Sequence, residues 1–168
     1  MPADVLEILT STPDKIRRES GGLTARQMKE RPAPAKWSAQ LVLAHLLDVE
    51  ENCWRLRAQA MVKQDNPFIA AFDQEARVAE MRYERQDARR TLARFIERRR
   101  ANLKWLRKLR PADWKRTGRH HEAGTITVEN LVNEWAVHDL GHLRQILEIK
   151  RHFLLPRLGN LRMYYPSS

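Results

Sequence analysis

The sequence predicts an all-α protein: an antiparallel four-helix bundle with a longer, crossover-like link between its second and third long helices. Three observations carry that prediction. Apolar residues recur at three- and four-residue spacing in four stretches, no segment is rich in β-formers, and proline and glycine punctuate the intervals. Helices of about 24 residues would span roughly 36 Å, a normal bundle length.

Taken in order, Val5, Leu6, Ile8, Leu9 and Ile16 mark a first helix. It is expected to bend or restart at Pro13, which lacks the N–H that a helix interior needs, and to stop at Gly21-Gly22. Thr24 to Gln27 has the form of a capping box opening a short helical turn. Pro32 and Pro34 break that turn and leave an extended connector that delivers Trp37. Ser38 suits the N-cap of the second long helix, which reads to about Val62 with Leu41, Val42, His45, Val49, Asn52 and Leu56 at helical spacing. Asn66-Pro67 ends it, and residues 68–86 read as a short helix and a loop. From Asp87 a third helix runs to about Leu109, with Ala88, Leu92, Phe95, Ile96, Leu103 and Leu106 inward and Pro111 as its stop. Residues 112–125 read as loop. Thr127 can cap the fourth helix, where Val128, Leu131, Trp135, His138, His142, Ile146 and Ile149 line one face until Pro156. The tail beyond Pro156 is apolar, with no helix of its own, and could cover a neighbouring helix or a second subunit.

Composition narrows the function classes. A chain of 168 residues fits one domain, residues 1–168, with a real core. With 42% hydrophobic and 31% charged residues it is not a disordered chain. No apolar run approaches the roughly 18 residues of a membrane span. The start, MPADVLEIL, lacks the pattern of a signal peptide, so the expected location is cytoplasmic. Cys53 is the only cysteine and rules out an intramolecular disulfide. The net charge of +10 raises nucleic-acid binding as an alternative. The excess falls largely between Arg77 and Arg119, however, interleaved with apolar positions as on the solvated face of an amphipathic helix.

The stretch AVHDLGHLRQI poses the functional question. His138 and His142 lie one turn apart on the inward face of the fourth helix, so their rings can converge. His45 is inward on the second. If the two helices face each other, three imidazole nitrogens can meet at one divalent cation. The competing reading is a set of core histidines bonded to backbone or carboxylates. A zincin would need glutamate directly after the first histidine; here that residue is Asp139, about 100° around the helix.

Trp37-Ser38, then His45-Leu-Leu-Asp48-Val-Glu50, then Gly124-Thr-Ile-Thr127-Val, then His138-Asp139 with His142 and Gln145, resembles the DinB/YfiT-like superfamily in order and spacing over nearly the whole chain. The resemblance implies a four-helix bundle, commonly a homodimer, with a divalent metal on His45, His138 and His142. It implies thiol-dependent transferase, isomerase or metal-dependent hydrolase chemistry, with a low-molecular-weight thiol as a further cofactor in the transferase case. Three neutral imidazoles leave the ion's charge uncompensated and a position open, which suits activation of a thiol or water. Histidine accepts zinc, nickel, iron and copper alike, and manganese is a further candidate.

No general base stands out. Asp48 and Glu134, one turn from the ligands, are read as acceptors for the ligands' second N–H. Glu50 and Glu51 are read as surface or ion-pair residues. Arg99 lies on the inward stripe, either pairing with an acidic residue of the second helix or clamping the carboxylate of a thiol cofactor or substrate. His120 and His121 fall in a loop that could border the pocket mouth, solvent-exposed by expectation. Trp135 is a candidate wall of the site. A non-catalytic metal-binding stress-response module remains the alternative to an enzyme.

Overall fold

A computed structural model describes residues 3–165. Four long helical segments make the bundle: α1 (Ala3–Gly21), α3 (Ala39–Asn52) continued by α4 (Trp54–Lys63), α6 (Ala88–Leu106) and α8 (Val128–Leu154). Short elements fill the connections: α2 (Ala25–Lys29), β1 (Phe68–Ile69), α5 (Gln74–Glu80), a 3-10 turn (Tyr83–Arg85), α7 (Pro111–Trp114), β2 (Thr117–His120) and β3 (Gly124–Thr127). A 3-10 segment, Leu155–Tyr164, follows α8 and packs back against it. Among the described residues no helix is long and apolar enough to cross a membrane.

The helix starts follow from side chains that satisfy backbone N–H groups left without intrahelical partners. Ser38 accepts from the Leu41 N–H, Asp87 from Arg90 and Thr127 from Asn130. Thr24 and Gln27 form the capping box of α2. The helix expected from Ser38 to Val62 is interrupted: Cys53, at φ −124° and ψ −80°, leaves helical geometry and divides it into α3 and α4.

Each of α1 and α3 packs against both α6 and α8. Gln40 reaches the Glu84 carbonyl, Glu50 meets Arg99 and Arg55 meets Asn102, so α3 and α6 run parallel. One end of the core joins Val49, Cys53, Leu131 and Trp135; the other joins Leu43, Leu46, Ile146 and Ile149. Helices α3 and α8 are therefore antiparallel. Leu9 shares the first end and Ile16 the second, which sets α1 parallel to α8. The long link of residues 64–87 is the reason: it carries the chain back to the starting end of α3 before α6 begins.

Two stretches expected to lack strands form a small sheet of order β1-β2-β3. Strands β2 and β3 pair antiparallel, and β1 adds parallel to β2 with Phe68 opposite Arg119 and Ile69 opposite His120. Gly118 is required there. A Cβ at that position would lie 2.9 Å from Met61 Cγ, 3.0 Å from Ile69 Cγ1 and 3.3 Å from the Pro67 oxygen.

Pro13 sits inside an unbroken α1. Without an N–H it cannot bond the Leu9 carbonyl one turn earlier, and a buried carbonyl needs a donor. Arg99 Nη1 supplies one at 2.9 Å.

Candidate metal centre

The three histidines meet where the two halves of the core join. His45 comes from α3, His138 and His142 from successive turns of α8, antiparallel to it. His138 Nε2 lies 2.9 Å from His45 Nε2 and 3.0 Å from His142 Nε2. His45 and His142 are buried and His138 is half-buried.

Burial holds all three rings neutral. It depresses His45 to about 3, with the neighbouring His142 adding to the fall and Asp48 opposing it. His138 is depressed to about 2 by burial, then by His142, His45 and Arg99. For His142 burial again lowers the pKa, against the Gln145 hydrogen bond and the Asp139 charge. Neutral imidazoles are the form that binds metal.

The donor set fits a divalent cation. Bonds of about 2.0–2.1 Å to imidazole nitrogen allow two ligand atoms to stand no more than about 4.2 Å apart. The separations of 2.9 and 3.0 Å lie inside that limit. Gln145 Oε1 accepts from His142 Nδ1 at 2.7 Å, which leaves the Nε2 lone pair of that ring facing its partners. The Nδ1 atoms of His45 and His138 are buried without a hydrogen-bond partner.

Those unpartnered nitrogens correct the expectation for Asp48 and Glu134. The Asp48 carboxylate is taken by Arg77 at 2.5 and 2.8 Å, the Tyr83 hydroxyl at 2.6 Å and Asn52 at 2.7 Å. Burial would raise its pKa, but these donors together hold it below the ordinary range. Glu134 is exposed and borders the cavity beside His138. The supporting partner that is present, Gln145, follows His142 at one helical turn; its spacing was the available signal.

Arg99 is not a clamp for an external anion. Its side chain is 1% exposed and is held by both oxygens of Glu50, at 2.8 and 2.9 Å, and both of Asp139, at 2.5 and 3.0 Å, besides Leu9. The acidic residue expected from the second helix is Glu50, a buried group. Burial pushes the Glu50 carboxyl upward, against the pull of Arg99. Glu51, by contrast, pairs with Arg94 and Arg98 near the surface.

Aromatic rings wall the histidines. Trp37 meets His45 edge-on at 5.2 Å and stacks with His142 at 6.4 Å. Phe72 stands 6.1 Å from His45, and Trp54 meets His138 edge-on at 5.1 Å. Trp135 lies behind Trp54, stacked at 5.8 Å, rather than on the histidines themselves. His45 and His138 open onto a cavity of about 310 Å³, also lined by Cys53, Arg57, Phe72, His120 and Glu134. Burial pushes the Cys53 thiol up to about 11, so without a metal it stays protonated.

Fold and centre together define a class: a helical bundle that gathers three neutral imidazoles between antiparallel helices, beside an open cavity. This chain belongs to the DinB superfamily, whose family model matches residues 8–146. It is 27% identical over 114 residues to a protein of Oceanobacillus iheyensis named "Putative metal-dependent hydrolase OB0782". That match takes in 67% of this chain and spans 64% of the relative's length. The solved structure of YfiT from Bacillus subtilis, described as a probable metal-dependent hydrolase with an unusual four-helix bundle topology, matches with a TM-score of 0.82 at 22% identity. The match covers 91% of this chain and 90% of YfiT, and it shows a shared fold.

Proposed function

We propose that the protein is a metal-dependent hydrolase whose divalent cation is held by Nε2 of His45, His138 and His142. The observation that carries this reading is the convergence of three neutral ring nitrogens at 2.9 and 3.0 Å, beside a cavity rather than sealed within the core. A cation bound there would polarise a substrate carbonyl and make water more acidic. The chain's own residues do the rest. Trp37, Phe72 and Trp54 exclude bulk water from the rings, and Gln145 fixes the His142 tautomer. The name of the Oceanobacillus relative supports the same chemistry.

The test is elemental analysis of the purified protein, then reloading with zinc, nickel, iron(II) or manganese and assay on a panel of esters and amides. The expected result is one ion per chain and turnover that a chelator removes. His142→Ala and His45→Ala should each weaken metal binding by more than about 100-fold, beyond the effect of losing a supporting hydrogen bond. Full occupancy in His45→Ala sinks the three-histidine centre. Turnover only with an added low-molecular-weight thiol and an electrophile would make the protein a transferase. Metal-dependent stability without turnover would leave a non-catalytic module.

A further inference from the structure

We propose that His120 donates a hydrogen bond to the acceptor oxygen of a carbonyl substrate in the cavity beside the three histidines, an inference that rests on the hydrolytic reading. His120 ends the central strand of the small sheet, and its ring borders the cavity onto which His45 and His138 open. Its Nδ1 accepts from two backbone N–H groups of the following turn, those of Glu122 and Ala123, each at 3.3 Å. A nitrogen that accepts carries no proton, so the neutral ring must hold its proton on Nε2. The metal-binding rings would present lone pairs to the centre; His120, whose ring borders the same cavity, would bring an N–H to it.

The donor is also held rigidly. His120 is opposite Ile69 on one side and Gly124 on the other. On either side of it in the chain, the Arg119 N–H bonds the Pro67 carbonyl at 2.8 Å and the His121 N–H bonds the Ile69 carbonyl at 3.2 Å. Fixed donors stabilise developing negative charge because they need no reorganisation during the reaction. The adjacent His121 and Glu122 are exposed and lie 3.7 Å apart; they cluster with His120, and Glu122 also borders the cavity. A helical bundle closes its core without a sheet. Here the sheet and its turn place His120 and Glu122 of the long α6–α8 connection on the cavity lined by histidines of α3 and α8.

Two substitutions separate this role from simple support of the turn. His120→Asn keeps an acceptor near the Nδ1 position for the turn N–H groups but loses the reach of Nε2. His120→Gln restores that reach. Zinc-loaded wild type and both variants are titrated with acetate, whose carboxylate offers an oxygen to the donor, and assayed on the best ester of the panel. The expected result is unchanged zinc affinity throughout. In His120→Asn, acetate binding should weaken about tenfold or more and kcat should fall about 100-fold, with both largely restored in His120→Gln. Nitrogen NMR of the metal-free protein should show His120 protonated at Nε2 alone. Unchanged acetate affinity and kcat in His120→Asn, or a proton on Nδ1, overturns the inference by itself. Failure of the wild type to take up any of zinc, nickel, iron(II) and manganese overturns the hydrolytic reading and the inference with it.

Discussion

His138 has an ordinary pKa of 6.5 and a folded one of about 2; His45 falls to about 3. In the unfolded chain both rings take up protons first. The metal-free protein therefore holds the full contribution of these rings above about pH 6.5 and loses it as pH falls from there toward 3 and 2. Thermal melts of metal-free protein between pH 8 and 5 should show a falling Tm, with a shallower fall in His138→Leu. Equal slopes in the two proteins would mean that these rings are not neutral in the native state. The same residues show what spacing could reveal. That His45, His138 and His142 come together was legible because all three sit on periodic apolar stripes. The occupation of Asp48 was not, since Arg77 and Tyr83 arrive from residues 68–86, where no periodicity points to an address.

At the level of elements, the caps were the most readable feature: Ser38, Thr24, Asp87 and Thr127 all hold helix starts. The break at Cys53 was hidden, because Trp54, Ala58 and Met61 continue an apolar stripe across it and no proline or glycine marks it. The hairpin was hidden for another reason. Strands of four residues, TGRH and GTIT, are too short and too weakly alternating to compete with a loop reading. Gly118 is the residue that makes the hairpin possible. Gly118→Ala should destabilise the fold by about 1–3 kcal/mol, since the added methyl group must displace both Met61 and Ile69. It should also disturb the His120 resonances while leaving metal affinity within a few-fold of wild type. Urea melts and a metal titration check both halves.

Over the whole molecule, four helices and a long second-to-third link were foreseeable; the directions were not. Antiparallel packing holds between α3 and α8 and between α1 and α6, whereas α1–α8 and α3–α6 run parallel, because apolar stripes define faces and not headings. The outer face of α8 carries a further feature. Val137, Leu140, Leu147 and Leu154 are 68%, 43%, 45% and 53% exposed at spacings of three and seven residues, an apolar stripe interrupted by Arg144 and Arg151. We propose that a second copy covers this stripe in a two-fold contact. The 3-10 tail leaves Leu161, Met163 and Tyr164 exposed as well, while the last three residues, also within the tail read from the sequence, lie outside the described part. Sedimentation at micromolar concentration should give a dimer, and Leu140→Glu with Leu147→Glu should give a folded monomer. A monomeric wild type would end the proposal.

Arg99 belongs to α6, yet its guanidinium is shared among a carbonyl of α1, Glu50 of α3 and Asp139 of α8. This arrangement limits how the sequence can drift. Removing Arg99 alone strands two buried carboxylates, at a cost of about 3–5 kcal/mol. Losing either acid leaves the cation under-compensated, and replacing all three by apolar residues still orphans the Leu9 carbonyl for as long as Pro13 stays. An apolar version of this junction thus requires changes at four positions, 13, 50, 99 and 139, most of whose intermediates fold poorly. In a saturation library selected for stability, single substitutions at 50, 99 and 139 should be depleted, and replacements that retain Pro13 should recover less than those that also restore an N–H there.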